Sequence, residues 1–384
     1  MKKIGIITLN GEFNYGNRLQ NFALQKVLES YNVQADTIEI KTNRLHNLKK
    51  HLWIGGIHGI SDFNQMLKKN FSKMTPSSIV RRKNYRAMQA AKWGIIGRFS
   101  QKNISTLKVE KKYLDHLEQH YDLFIVGSDQ VWNPHIIEFD PTHFLDFIPK
   151  EKRYSYSASF GVELLPKKPH GLKEHYRRYL QQMAYLSVRE ASGAKLVEEL
   201  TGENADVAPD PTLLLSKDEW RRELDIIGAK GSRFLLIYFV SELSTEIYEE
   251  IQRFAKKKQL QIVQIMGDTF GEGRIVADPQ QFVTMIAQAE YVFTDSFHGS
   301  VFSIIMQTPF FVYERTDHQE IYTRIESLTR QFHMECANVS VGDELTEKES
   351  LFDFEQSERL LENVRERGRQ LIEQKILNHS KAEK

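Results

Sequence analysis

Residues 4–40 read IGIITLNGEFNYGNRLQNFALQKVLESYNVQADTIEI. Ile4–Leu9 is a short apolar run, the pattern of a strand buried on both faces. Asn10, Gly11, Asn14 and Gly16 follow as loop chemistry. From about Asn17 to Ser30 the apolar residues Leu19, Phe22, Ala23, Val27 and Leu28 gather on one side of a helix. Val33–Ile40 returns to a strand. Strand, Gly-containing loop, helix and strand make a βαβ start, with the loop at the helix N-terminus.

The alternation pauses and then resumes. Strands are expected at Leu123–Val126, Tyr154–Phe160, Tyr185–Val188 and Ala205–Ala208, with a helix near residues 170–183. Pro209-Asp210-Pro211 punctuates the chain and marks a domain boundary. The second half repeats the logic: strands at Arg233–Val240, Gln261–Met266, Tyr291–Thr294 and Phe310–Tyr313, helices at Thr245–Lys258, Pro279–Ala289 and Phe297–Gln307. Strands alternating with helices imply parallel sheets covered on both faces. The expected fold is α/β, with two Rossmann-like domains facing across a cleft. The first covers residues 1–208 and carries a basic helical insertion at 41–119. The second covers 209–354, and a long amphipathic helix occupies 355–384. Ligands of such sheets sit beyond the carboxyl ends of the strands, so the cleft is the expected site.

The 384 residues are 41% hydrophobic, enough to build two cores, and the formal net charge is +1. That near-neutral total conceals an uneven distribution. Residues 41–112 hold 17 Lys and Arg against Asp62 and Glu110, a net +15, which leaves −14 for the rest. Such a block is either a set of packed helices with solvated cations or a surface for anionic membrane. No DNA- or RNA-binding motif accompanies it, so nucleic acid is not an expected partner. The N-terminal apolar run is too short and strand-like for a signal peptide, and no apolar run of spanning length occurs. The single cysteine, Cys336, excludes a disulfide framework and a multi-cysteine metal site. It fits a reducing compartment. The histidines are scattered, so no metal site is expected. P-loop, GxGxxG and GxSxG signatures are missing.

Four blocks follow predicted strands and could carry chemistry. Asn14-Tyr15-Gly16-Asn17 opens the first helix, where free N–H groups and the helix dipole favour an anion; a plain cap is the alternative. Gly127-Ser128-Asp129-Gln130-Val131-Trp132-Asn133 offers Asp129 to take a proton from a hydroxyl and Trp132 to stack on a sugar, or else a capped turn. Arg189, at a strand end beside Glu190, either grips a carboxylate or phosphate in bidentate fashion or forms a structural ion pair. Asp295-Ser296-Phe297-His298-Gly299-Ser300 places a proton-transferring imidazole at a helix N-terminus. Arg315 ends the next strand and could reach the same rim.

Together with Asp210-Pro211-Thr212-Leu213-Leu214, these blocks resemble the polysaccharide pyruvyl transferase family, across roughly residues 4–40 and 120–330. The resemblance implies a GT-B-like fold and transfer of the enolpyruvyl unit of phosphoenolpyruvate to a sugar. The product would be a pyruvate ketal, with phosphate released. It implies His298 as general acid, Asp129 as general base and Arg189 on the leaving phosphate. Gly16, Asn17, Ser296, Gly299, Ser300 and Arg315 would bind the donor; Gln130, Trp132 and Asn133 would bind the acceptor. Members often carry Arg two residues before the His, where this chain has Ser296. No metal or other cofactor is required by this scheme. The expected setting is cytoplasmic, with the basic block docking on the inner membrane face if the glycan is lipid-linked. A nucleotide-sugar GT-B glycosyltransferase and a non-catalytic glycan-binding relative are the competing readings.

Overall fold

The structure is a computed structural model that describes residues 1–11, 14–41, 91–137, 139–226, 233–265, 274–314 and 319–378. The first domain contains β1 (Lys2–Ile7), α1 (Tyr15–Ser30), β2 (Val33–Lys41), α2 (residues 91–103), β3 (Thr106–Glu110), β4 (Leu123–Val126), β5 (Arg153–Ser155), α3 (Leu172–Leu180), β6 (Ser187–Val188), α4 (Ala191–Thr201) and β7 (Asp206–Val207). The second contains α5 (Lys217–Glu223), β8 (Phe234–Tyr238), α6 (Thr245–Lys258), β9 (Gln261–Ile265), β10 (Arg274–Ile275), α7 (Pro279–Gln288), β11 (Tyr291–Thr294), α8 (Phe297–Met306), β12 (Phe310–Tyr313), α9 (Gln319–Gln331) and β13 (Asn338–Val339). Then come α10 (Leu345–Glu349) and α11 (Phe354–Leu371).

Both main sheets are wholly parallel. Their strand orders are β3-β2-β1-β4-β5 and β10-β9-β8-β11-β12-β13, with β6 and β7 forming a small parallel pair beside β5. The chain reverses its winding direction between β1 and β4, and again between β8 and β11. These are the switch points at which a doubly wound sheet opens a crevice. The chain is therefore two Rossmann-like domains in the GT-B manner, and the two crevices meet at one seam.

α1 lies at that seam. Thirteen of its 16 residues are buried, and only the last turn with Glu29 and Ser30 is exposed: one side packs on the first sheet and the other on the second domain. Phe22 tilts against Trp220, and Tyr15 stacks on Phe282 at 4.8 Å. Its side-chain amides are consequently buried, and most of their groups find partners, Gln20 Oε1 and Asn21 Nδ2 excepted. Gln20 donates to Thr8, and Gln25 to Thr37 and to the Ser105 carbonyl.

The structure corrects two expectations. The basic insertion is not helical to its end: Thr106–Glu110 is a strand that pairs with β2, Thr37 opposite Thr106 through Lys41 opposite Glu110. The strand expected to run to Phe160 stops at Ser155, and Ser157 turns into the left-handed region at φ 50°. The helix expected at 355–384 is α11, continued by a wider helical turn over Ile372–Leu377, and residues 379–384 lie outside the described residues. Gly368 lies so close to Pro209 and Leu214 that a Cβ would stand 2.4 Å from the Leu214 side chain. Arg369 donates to the Leu214 carbonyl, and Lys2 donates to the Leu377 carbonyl at 2.8 Å. The helix thus starts on the second domain and ends on the first.

Most of the basic block, residues 42–90, lies outside the described residues, and with it the membrane-docking expectation. Of its described lysines, Lys108, Lys111 and Lys112 pair with Glu39, Asp140 and Glu110. Among the described residues no helix is long and apolar enough to cross a membrane.

Lys92 on α2 is different. It is 7% exposed, and its amine lies 4.9 Å from the Tyr15 ring centroid. Burial pushes that amine down to about 8. An unfolded lysine titrates near ~10.4. Between these values the unfolded chain holds a proton that the folded chain has released, so stability rises with pH across that window. Below it the fold carries the cost of a buried charge. Lys92→Met should therefore be more stable than wild type at pH 7, by about 2 kcal/mol after allowing for the lost cation–π contact. Urea unfolding should show that gap closing by pH 10; a gap that persists unchanged contradicts the burial account.

Candidate active site

The loops after β1 and β4 are tied together first. Thr8 donates its hydroxyl to the Ser128 carbonyl at 2.9 Å. Gly127 adopts φ 112°, and a Cβ there would meet the Tyr156 carbonyl oxygen at 2.4 Å, so this turn requires glycine. The turn delivers Asp129, itself at φ 70°, to the β1–β4 crevice.

At the N-terminus of α1, the Asn14 side chain accepts from the Gly16 and Asn17 N–H groups. The cap fills the position where an anion was the other option. Gly16 does something else. A Cβ on it would lie 2.0 Å from His298 Nδ1, so only glycine lets the imidazole of the second domain rest on the first turn of α1. Asn17 holds Asp129: its Nδ2 donates to Asp129 Oδ2 at 2.9 Å. Its Oδ1 accepts from Gly11 N–H and from the Arg18 guanidinium. With both ends occupied, Asn17 is a positioning residue rather than a donor contact.

Arg189 follows β6 and is buried. Its Nη1 lies 2.9 Å from Asp210 Oδ2 and 3.8 Å from Asp129 Oδ1, and its Nε lies 3.1 Å from Glu190 Oε1. Burial works against its charge; Glu190, Asp210 and Asp129 reverse that and hold the guanidinium above its ordinary pKa. Its Nη2 is buried without a hydrogen-bond partner. The ion-pair and ligand-gripping readings are thus both open to one side chain, because Nε and Nη1 are used and Nη2 is free.

The second domain contributes the other wall. After β11, Asp295 accepts from the Val240 and Ser241 N–H groups that follow β8, pinning the second crevice. Ser296 caps α8 by accepting from Gly299 N–H. A Cβ on Gly299 would strike Thr294 Oγ1 at 2.6 Å. His298 then projects across the seam, with Nε2 3.7 Å from Asp210 Oδ2. That is an ion-pair distance rather than a hydrogen bond, and Nε2 is buried with no hydrogen-bond partner.

Asp210 is the centre of the cluster. Its Oδ1 accepts from Thr212 N–H and Oγ1, and its Oδ2 faces Arg189, His298 and Ser128. Burial alone raises its carboxyl. His298, Arg189 and the Thr212 N–H outweigh burial and hold it well below the usual carboxylate range. Arg189 and His298 thus meet one ionised carboxylate, with Asp129 and its partner Asn17 beside Arg189 and Gly16 beneath His298; the sequence marks that carboxylate both as the domain boundary and as the head of the Asp210-Pro211-Thr212-Leu213-Leu214 block.

Arg324 on α9 was not anticipated. It sits over the Phe297 ring at 5.0 Å, with Nε 3.1 Å from Glu190 Oε1. Burial and the neighbouring Arg189 pull it down to about 10, against Glu190, Asp129 and Asp210. Nothing in Tyr322-Thr323-Arg324-Ile325-Glu326 marks one arginine of a charged helix as buried at a distant site.

Several expected contacts are not at this centre. Trp132 is 1% exposed, stacked on Phe144 at 5.6 Å with its Nε1 donating to the His143 carbonyl. Its ring is core and offers no face to a sugar. Asn133 is buried, donating to Gln130 and accepting from His135 N–H, and Gln130 is held in the same turn against Gly161. Ser300 is fully buried and donates to the Ser296 carbonyl, so it is a helix back-bond rather than a donor contact. Arg315 lies outside the described residues. Among the described residues no group of three His, Cys, Asp or Glu side chains is placed to hold a metal ion. Trp132→Ala should cost about 3–5 kcal/mol of stability, as a large buried aromatic does. Denaturant titration would show it, whereas the acceptor KM of the folded fraction should stay near wild type. A raised acceptor KM with no loss of stability would restore Trp132 to the acceptor site.

The family model described as polysaccharide pyruvyl transferase matches residues 14–318. No curated protein matches the chain in sequence. Among solved structures, the UDP-GlcNAc 2-epimerase from Methanocaldococcus jannaschii is similar at 12% identity and TM-score 0.46, covering 95% of this chain and 93% of that one. The S. aureus MnaA–UDP co-structure is similar at 13% identity and TM-score 0.45, covering 99% and 90%. Acinetobacter baumannii MurG is similar at 9% identity and TM-score 0.43, covering 95% of each.

Proposed function

Because the chain belongs to the polysaccharide pyruvyl transferase family, we propose that it moves the pyruvyl unit of phosphoenolpyruvate onto a glycan as a ketal. The observation that carries this reading is the pair of buried nitrogens without a hydrogen-bond partner, Arg189 Nη2 and His298 Nε2, on either side of ionised Asp210. A buried donor without an acceptor costs free energy, and an anionic ligand would satisfy it. Phosphoenolpyruvate brings a carboxylate and a phosphate.

The chemistry then assigns roles. His298 gives a proton to the enol methylene, which becomes a methyl group and leaves an oxocarbenium-like carbon. Asp129, held by Asn17, takes the proton of one sugar hydroxyl as its oxygen bonds to that carbon. Phosphate leaves with its bonding electron pair, stabilised by Arg189. A second hydroxyl of the same sugar then closes the ketal and loses its proton to the phosphate. Two hydroxyl protons are lost: the one taken by Asp129 is returned through solvent to His298, replacing the proton given to carbon, and the other leaves on phosphate. Asp210 keeps Arg189 in place and presents an ionised partner to a protonated His298.

The acceptor in this reading is a sugar of a cell-surface or exopolysaccharide glycan. If that glycan is carried on lipid, the basic residues 41–112 would bring the enzyme to an anionic membrane face. Release of inorganic phosphate tests the reaction: it should require both phosphoenolpyruvate and a glycan acceptor. Turnover of a nucleotide sugar with no response to phosphoenolpyruvate would replace this reading with a glycosyltransferase.

A further inference from the structure

Two buried arginines from different domains share one ring and one carboxylate. The guanidinium carbons of Arg189 and Arg324 lie 5.3 and 5.0 Å from the Phe297 centroid. Both Nε atoms stand 3.1 Å from the same oxygen, Glu190 Oε1, which also accepts from Ser159 at 2.8 Å. One oxygen cannot serve three donors well. Arg324 Nε, though close, makes no hydrogen bond, and Arg189 Nη2 makes none either. The two side chains are only 12% and 4% exposed, so water offers little compensation.

Like charges buried this close repel, and repulsion from Arg189 is one of the forces acting on Arg324. A dianion placed against both guanidiniums would relieve that repulsion and fill the idle donors. Arginine suits this task because its planar fork meets phosphate oxygens in pairs. The ring of Phe297 keeps the two forks in register. Glu190 is the placeholder: its one oxygen stands where ligand oxygens would give each arginine its own acceptor.

We propose that Arg324 is the second cation of the phosphate site, gripping the dianion from the second domain while Arg189 grips it from the first. The assignment rests on the proposed pyruvyl transfer for its choice of donor, but the clamp itself requires only a phosphate dianion. It also gives a reason for Ser296: the cation comes from α9, so the residue before Phe297 is left to cap α8. A ligand held by both domains would also draw the seam together.

Calorimetric titration with inorganic phosphate and, separately, with phosphoenolpyruvate tests this on the full chain, at fixed chloride. Arg324→Gln should weaken both ligands by ~30-fold or more, as loss of a buried charged partner does. Arg324→Lys should recover part of that loss by keeping the charge without the fork. Steady-state kinetics should show the donor KM rising by more than kcat falls, with circular dichroism melts confirming that the variants are folded. If wild type binds phosphate and folded Arg324→Gln binds it equally well, the clamp is wrong while pyruvyl transfer can stand. If wild type binds phosphate through Arg324 yet never releases it from phosphoenolpyruvate with a glycan, the clamp stands and the donor assignment falls. If wild type binds neither ligand, the clamp is overturned.

Discussion

His298→Ala should lower phosphate release from phosphoenolpyruvate by ~10²–10⁴-fold, the usual contribution of a positioned general acid. That is roughly 3–5 kcal/mol of transition-state stabilisation. The imidazole rests on Gly16, which has no Cβ to exclude it, and its Nε2 faces Asp210 at 3.7 Å. Among the described residues, His298 is the histidine that pairs with Asp210. Donor KM should move much less than kcat, because Arg189 still binds the anion. His298→Gln keeps most of the side-chain volume but cannot carry the proton, and it should be equally impaired. If either folded variant keeps wild-type kcat, the methylene proton comes from elsewhere and the assignment of His298 is wrong.

Asp210→Asn should be the most destabilising of the conservative changes at the site. It removes the charge that faces Arg189 at 2.9 Å and His298 at 3.7 Å, while leaving the shape and the Thr212 bonds largely intact. Stripping one partner from a buried ion pair typically costs about 3–5 kcal/mol. Glu190 and Asp129 still face Arg189, so about 3 kcal/mol is expected here. The pH dependence has a definite sign. The Asp210 carboxyl is depressed in the fold, so its contribution is complete above the ordinary carboxylate pKa and is lost only as pH falls well below it. Wild type should therefore lose stability on acidification that the Asn variant has already lost at neutral pH. Chemical denaturation at pH 7 and pH 3 would show the gap between the two proteins narrowing by about 1 kcal/mol, because pH 3 lies only just below the unfolded carboxylate pKa. Equal differences at both pH values would mean that Asp210 is held by shape rather than charge.

The strands and helices that sequence reading placed well are those with one uninterrupted local signal. Leu123–Val126, Tyr291–Thr294 and Phe310–Tyr313 are short apolar runs between polar loops, and each is a strand with those bounds. Thr245–Lys258 is bounded by the Ser244 cap and by Gln259 in the left-handed region. The readings that failed depended on distant partners. Trp132 sits among polar residues in sequence, and only Phe144 and Phe160 reveal it as core. Asp210 looked like punctuation because prolines flank it. Its role needs Arg189 from 21 residues before it and His298 from the other domain. Arg324 is 135 positions beyond Arg189, and no periodicity links them.

The central claim is that pyruvyl groups pass from phosphoenolpyruvate to a sugar through this seam. The most direct measurement uses purified protein, phosphoenolpyruvate labelled in its pyruvyl carbons, and extracted lipid-linked glycans. The account predicts glycan that carries the label as a ketal methyl group in its NMR spectrum, with one phosphate released for each pyruvyl transferred. Glycan that stays unlabelled while the same protein transfers sugar from a nucleotide donor would contradict it.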